Sequence, residues 1–357
     1  MISLGVLDNK CPACGAKITF NPKNQMWDCE YCGSKFTLEE MQKHENASNE
    51  KVNAKTGDNK VKKDTTDGVS LDVYRCENCG AEIVADETVT ATFCVYCGST
   101  AILKDKIDDG VIPNLIIPFK NVKDDAITAF KKLYKNKLLV PKSFKSQKNI
   151  EKITGVYIPF WAYDLTGDGN ISFNASDTRY WSDSQYDYTE ISRYLVEKSG
   201  HFEYDKVLAD ASSRFADDLM DSLEPFNYND LVEYNHAYLS GFFAEKYDVL
   251  EDTCLERAED RSMNTCVSLV SNSIPHQSKT VQHNDIKITK NNSYYLMLPV
   301  WMLNVKYRDK MYTFAMNGQT GKIIGNLPVG IKETIIASIV VFIGLFLIAT
   351  LIVYFVS

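Results

Sequence analysis

Eight of the ten cysteines fall into two blocks of identical spacing: Cys11, Cys14, Cys29 and Cys32, then Cys76, Cys79, Cys94 and Cys97. Each block reads CxxC, fourteen residues, CxxC. A tetrahedral metal needs four soft ligands on two short turns brought face to face, and a gap of this length is one hairpin excursion. Every turn ends in glycine, at Gly15, Gly33, Gly80 and Gly98, where the chain must bend under the metal with positive φ. The pattern predicts two zinc ribbons with one structural zinc ion each, the eight cysteines being the metal ligands. Such a site contributes folding free energy on the order of 10 kcal/mol, so neither ribbon is expected to fold without its metal.

A disulfide framework would require an oxidising compartment. Residues 1–10 hold neither a basic start nor an apolar run that would direct the chain to one. Rubredoxin-type iron usually has its two turns further apart, so zinc fits the spacing better.

The other end is equally constrained. From Ile335 to Val356 the chain reads IIASIVVFIGLFLIATLIVYFV, with sixteen Ile, Leu, Val or Phe residues and no charge. That is enough to span a bilayer as one helix, with insertion favourable by roughly 5 to 10 kcal/mol. A tail-anchored protein is expected, its transmembrane helix covering 334–356. Lys322 and Lys332 precede the span and no basic residue follows it, which favours a single-pass cell-membrane protein with cytoplasmic N-terminal domains.

Charge bears on function. The net charge is −8, from 39 basic and 47 acidic residues, and the first ribbon balances its lysines with Asp8, Asp28, Glu30, Glu39 and Glu40. Nucleic-acid binding normally requires a basic face, and neither ribbon carries one. Residues 43–70 are almost devoid of bulky apolar side chains and read as a flexible linker, long enough to let the first ribbon move independently of the second and present a surface to a partner. The expected domains are a first ribbon at 1–42, this linker, a second ribbon at 71–106, a core at 107–330 and the membrane helix.

Within the core, IPFWAYDLTGDGNISFNA (Ile158 to Ala175) echoes LPVWMLNVKYRDKMYTFAM (Leu298 to Met316). Each reads as a β-hairpin around a polar turn, with Pro159 and Pro299 at strand starts. Helical stripes cover Asp125 to Leu139, closed by Pro141, and Leu250 to Val270. The latter places Cys254 and Cys266 at core positions, as inert buried thiols. The fold class is therefore multi-domain: two β-rich zinc ribbons, an α+β core with two related hairpins and inserted helices, and one C-terminal transmembrane helix.

Other candidate sites are weaker. Asp164 and Asp168 in DLTGDGN lack the ligand spacing of a calcium loop, and a Gly-Asp-Gly turn explains them. NGQTGK (Asn317 to Lys322) lacks Walker spacing and reads as a β-turn. His44, His201, His236, His276 and His283 show no ligand or triad spacing. No nucleophile has a partner at a telling distance in sequence, so no catalytic residue, no small-molecule cofactor site and no enzymatic activity is expected.

The ribbons resemble the TFIIB-type zinc ribbon, over about forty residues at a time. IPFWAYD from Ile158, YLSGFFAEKY from Tyr238 and the segment from Leu298 to Val329 are together similar to a bacterial family of membrane-anchored double zinc ribbon proteins, typified by YdjG. That family accompanies phage-shock-type and SPFH/virion-core-like proteins in envelope-stress gene clusters. The resemblance covers nearly the whole chain. It implies a zinc-binding membrane adaptor that recruits an SPFH/virion-core-like scaffold to the cytoplasmic face, with no established catalytic activity. The alternative is a membrane-tethered nucleic-acid-binding or transcription regulator using its TFIIB-like ribbons.

Overall fold

The computed structural model describes residues 10–44, 72–76, 82–85, 102–106, 112–146, 150, 152–308 and 310–356. The expected linker lies outside the described residues from residue 45 onward, and so does most of the expected second ribbon. In chain order the strands are β1 (Thr19–Asn21), β2 (Met26–Asp28), β3 (Lys35–Phe36), β4 (Asp72–Cys76), β5 (Glu82–Ala85), β6 (Ile102–Lys106), β7 (Leu115–Ile116), β8 (Thr154–Ser182), β9 (Asp187–Asp210), β10 (Val232–Glu233), β11 (Phe243–Glu245), β12 (Ser278–Asn284), β13 (Lys287–Tyr307), β14 (Lys310–Asn317) and β15 (Ile323–Gly325). The helices are α1 (residues 38–44), α2 (Lys123–Tyr134), α3 (Asp217–Asp221), α4 (Glu251–Asn272) and α5 (Ile331–Val356). The chain divides into two compact units.

The first unit joins Met1–Pro159, Asp218–Lys246 and Met297–Ser357. Its N-terminal part is a three-stranded antiparallel sheet in the order β1-β2-β3. Thr37 and Glu40 then form a reciprocal cap: the Thr37 amide donates to Glu40 Oε2 at 2.8 Å and the Glu40 amide to Thr37 Oγ1 at 3.3 Å. This T-x-x-E box satisfies orphan amides and starts α1.

The small sheet is seated on the rest of its unit. Trp27 and Phe20 are buried against Tyr238, with ring centroids 5.2 Å from it in both cases. The Trp27 indole donates to Ala237 O at 2.8 Å, the Phe20 amide to Ser240 O at 3.1 Å and Gln25 Nε2 to Phe119 O at 2.8 Å. The first ribbon is held on the core by an aromatic cluster and three hydrogen bonds, because Phe20 and Trp27 need apolar cover that three short strands cannot supply.

Around that seat, Phe119 stacks on Phe242 at 4.2 Å, with Tyr157 and Trp301 set edge-on to Phe119. Strand β11 pairs parallel with β8 at Val156 and Tyr157 and antiparallel with β5. The expected hairpin from Leu298 to Met316 forms: β13 and β14 pair from Val300↔Asn317 to Tyr307↔Lys310, and Arg308 takes a φ of 53° at the turn. Helix α2 is capped by Asp125, whose Oδ2 accepts from the Val122 amide at 3.0 Å, and buries Ala126 and Phe130. It stops at Tyr134, five residues before its expected end, where the chain tightens into turns bonded Lys137 N to Tyr134 O and Val140 N to Lys137 O.

The segment Asn317 to Lys322 is a turn, as its Asn-Gly suggests. Asn317 Oδ1 accepts from the Gln319 and Thr320 amides, both at 2.9 Å, and its Nδ2 donates to Leu223 O at 3.0 Å. Helix α5 ends the described chain. It is long and apolar enough to cross a membrane, with a mean hydropathy of 3.0 and no part of that stretch buried.

The second unit joins Phe160–Asp217 and Tyr247–Leu296. Here β8 and β9 pair antiparallel from Phe160↔Asp210 out to Ser182↔Asp187. The expected hairpin from Ile158 to Ala175 does not form, because that whole stretch runs straight through within β8. Its glycines serve close approach instead of a turn. A Cβ on Gly167 would strike the Phe202 ring, and one on Gly169 would strike the backbone of Asp285 and Ile286. Nor do the prolines begin strands. Pro159 lies between the β8 residues that pair with β11 and those that pair with β9, and Pro299 immediately precedes the β13–β14 ladder.

Helix α4 buries Cys254, Ala258, Ser262 and Cys266, spaced four apart along one face. Cys266 packs with Ile171, Phe173 and Ile274. Asp210 is buried and ion-paired with Arg257 at 2.6 Å, while the other end of that guanidinium reaches Asp217 at 2.9 Å.

Candidate metal centre

The two cysteine turns of the first ribbon are built alike. In the first, the Cys11 amide donates to Ala16 O at 2.7 Å and the Gly15 amide to Cys11 O at 2.8 Å. In the second, Cys29 N donates to Ser34 O and Gly33 N to Cys29 O, both at 2.9 Å. Gly15 and Gly33 adopt φ of 72° and 73°, a region an L side chain enters only under strain. This repetition points all four thiols at one place. Asp28 fixes the loop between the turns by accepting from Asn21 Nδ2 at 2.6 Å and Asn24 Nδ2 at 3.2 Å.

The Sγ atoms of Cys11, Cys14, Cys29 and Cys32 all lie within 4.8 Å of one another. Cys11 and Cys32 are 3.6 Å apart, Cys14 and Cys29 3.7 Å. Thiolates around a tetrahedral ion at about 2.3 Å stand roughly 3.8 Å apart, so the arrangement matches the edge of such a site and is far from the ~2 Å of a disulfide. The four side chains can hold a metal ion. Cys11 and Cys29 are buried, whereas Cys14 and Cys32 are exposed.

Without a cation the two exposed sulfurs, Cys14 and Cys32, titrate far apart. Hydrogen bonds with the Ser34 side chain and backbone pull Cys32 down to about 6. The Ala16 amide also favours ionised Cys14, yet desolvation and the other three thiols leave it up at about 12. Four adjacent thiolates repel one another, and a divalent ion removes that conflict by neutralising them together.

Of the second set, Cys76 ends β4 and is buried; Cys79, Cys94 and Cys97 lie outside the described residues, as do Gly80 and Gly98. Among the described residues no other group of three or more His, Cys, Asp or Glu side chains converges in this way. Cys254 is buried, and desolvation pushes its thiol up to about 11; burial raises Cys266 as well. Asp164 accepts from the Lys206 amide at 3.0 Å and from Tyr294 at 3.1 Å, a structural role. Asp168 meets His201 at 2.8 Å on an exposed surface, where the Asp168 hydrogen bond and then that of Glu203 raise the histidine.

Sequence reasoning missed the seat of the ribbon. Trp27 was the available signal, an apolar indole in a unit too small to bury it.

A β-rich chain with a four-cysteine cluster able to hold a metal, and a C-terminal helix able to cross a bilayer, defines the class of protein. More narrowly, the chain belongs to the family of YdjG, described as an uncharacterized protein, from Bacillus subtilis (strain 168). The two are 34% identical over 325 residues, which cover 91% of each. No family model matches the chain, and no solved structure does.

Proposed function

We propose that the chain is a zinc-binding adaptor, anchored in the cell membrane by α5 with its folded part in the cytoplasm, that recruits a protein partner there. The observation that carries this reading is the end of the β8–β9 hairpin. Tyr180, Ile191 and Leu195 are 74%, 53% and 61% exposed. The register opposes Tyr180 to Thr189, Thr178 to Ile191 and Asn174 to Leu195, so these three apolar side chains share one face. On the opposite face Trp181 and Tyr188 stack at 5.5 Å. Water-exposed aromatic and aliphatic groups spaced along one strand face, with Arg193 among them, suit a protein interface.

The metal is taken to be zinc because four thiolates in tetrahedral spacing favour it over harder ions. Its role is structural, shaping the ribbon that packs on Tyr238. The partner best supported is an SPFH/virion-core-like scaffold, on the resemblance to the family that accompanies such proteins, which also suggests a role in envelope stress. Anchoring raises the partner's effective concentration at the bilayer.

Affinity purification of the full-length protein from gently solubilised membranes tests this, beside a variant with Tyr180, Ile191 and Leu195 changed to serine and another with Cys11 and Cys14 changed to serine. A scaffold protein retained by the parent and lost from the hairpin variant supports the adaptor. Retention of nuclease-sensitive nucleic acid with no protein partner would overturn it in favour of a tethered regulator.

A further inference from the structure

The loop after α2 combines charge and apolarity in a way its own packing does not require. From Ala126 to Ser146 the chain holds six lysines, Lys131, Lys132, Lys135, Lys137, Lys142 and Lys145, and no acidic residue, within a chain of net charge −8. All are exposed except the half-buried Lys145. At the centre of this run stand Leu138, 86% exposed, and Leu139.

The loop is nevertheless firmly built. Val140 and Pro141 are buried behind the leucines. Lys145 Nζ donates to Lys137 O at 3.0 Å, and the Phe144 amide to Pro141 O at 3.1 Å. The Gly330 amide donates to Leu139 O at 2.8 Å, which ties the loop to the residue immediately before α5. Leu139 then shares a groove of about 440 Å³ with Thr334, Ala337, Ser338, Val341 and Phe342 of that helix. From Thr334 to Val341 a helix rises about 10 Å, so Leu139 lies beside the first turns of the apolar stretch.

We propose that residues 135–142 form a second membrane contact: Leu138 and Leu139 enter the boundary between headgroups and acyl chains where α5 begins, and the surrounding lysines bind anionic lipid phosphates. This rests on the reading of α5 as a membrane anchor. A backbone bond to Gly330 keeps the leucines at the level of the bilayer surface whenever α5 is inserted. A basic rim around an apolar tip is the arrangement that anionic interfaces attract, with lysine stems lying along apolar surface and their ammonium groups in the headgroup layer. The bond to Gly330 thereby brings the lysines flanking Leu138 and Leu139, Lys135, Lys137 and Lys142, towards the start of the span, where the adjacent sequence offers Lys322 and Lys332 beside one acidic residue, Glu333. That concentration of lysine favours the cytoplasmic side for the folded part.

The test uses full-length protein reconstituted in vesicles of phosphatidylcholine brominated on its acyl chains, with or without phosphatidylglycerol. Fluorescence of Leu138→Trp and of Tyr354→Trp is read against the parent with its native tryptophans. Extra emission from Leu138→Trp that is blue-shifted and quenched by brominated lipid, more strongly with phosphatidylglycerol, is the expected result. Changing Lys135, Lys137 and Lys142, the lysines of the contact itself, to glutamine should abolish the phosphatidylglycerol effect while Tyr354→Trp stays quenched. Quenching of Tyr354→Trp but not of Leu138→Trp overturns the contact and leaves the anchor standing. Quenching of neither overturns both, and equal quenching of Leu138→Trp in neutral and anionic vesicles overturns the binding of anionic lipid.

Discussion

The indole of Trp27 donates to the main-chain carbonyl of Ala237 at 2.8 Å, across 210 positions of sequence, and both residues are fully buried. With Phe20, whose ring meets Tyr238 at 5.2 Å, this side chain couples the cysteine ribbon to the short 3₁₀ turn His236–Leu239. Trp27→Ala should remove both the buried ring and the bond, lowering stability by about 3 to 5 kcal/mol. Trp27→Phe should cost about half of that. Urea unfolding of the full-length protein in detergent reads the difference. Equal stability of Trp27→Ala and the parent would mean that the ribbon is not seated in solution.

Metal removal makes a second prediction. Cys29→Ser replaces a buried thiolate and should abolish one equivalent of bound zinc by elemental analysis, with faster amide exchange across residues 10–36. Unchanged metal content in this variant would rule out the first cluster as a zinc site.

Acid should loosen the same seat. Burial pushes His236 down to about 4 from an ordinary 6.5, with the Tyr234 hydroxyl 2.9 Å from its Nδ1. Between those values the unfolded chain takes up a proton that the folded chain refuses. Stability therefore falls as pH drops from about 6.5 to about 4, by about 3 kcal/mol in all, and is unaffected by this group above that window. His236→Asn should flatten that part of the stability profile measured by denaturant titration at successive pH values.

In the second unit, Gly169→Ala should be the costlier of two neighbouring substitutions. Its methyl meets the main chain of Asp285 and Ile286, which cannot step aside, whereas at Gly167 the obstacle is the Phe202 ring. A loss of about 2 to 4 kcal/mol is expected at Gly169 and about 1 to 3 at Gly167, compared by thermal unfolding. The reverse order would show the β8 backbone to be more yielding than the aromatic ring.

Arg257 offers a further check. It neutralises Asp210, whose side chain is wholly inaccessible. Arg257→Ala leaves a carboxylate buried without its cation and should cost about 3 to 5 kcal/mol. Asp210→Asn introduced into that variant should restore part of the loss, as read by chemical denaturation.

These sites differ in how openly the sequence announced them. Cys11, Cys14, Cys29 and Cys32 are legible because metal geometry demands a fixed spacing, and the turn glycines repeat it. Helix α4 is legible because Cys254, Ala258 and Cys266 fall at multiples of four residues along one face, and α5 because its apolarity is unbroken. Strands β8 and β9 are not. Gly167 and Gly169 look like turn residues when only local propensity is considered; their reason lies in Phe202 and Asp285, far along the chain. Much of β9 is exposed on both faces, so it carries no alternation for a period-two reading to find. Leu138 and Leu139 continue the stripe of α2 by spacing, yet Gly330, nearly two hundred residues later, claims the carbonyl of Leu139.

The four cysteines of the first ribbon are unequal in access: Cys11 and Cys29 face protein, Cys14 and Cys32 face water. An ion held there would have a sheltered side and an open one. Chelators, competing metals and oxidants would all have to approach across Cys14 and Cys32, so the order in which the centre is dismantled is set by the fold before any chemistry begins. The inner pair would be the last to let go.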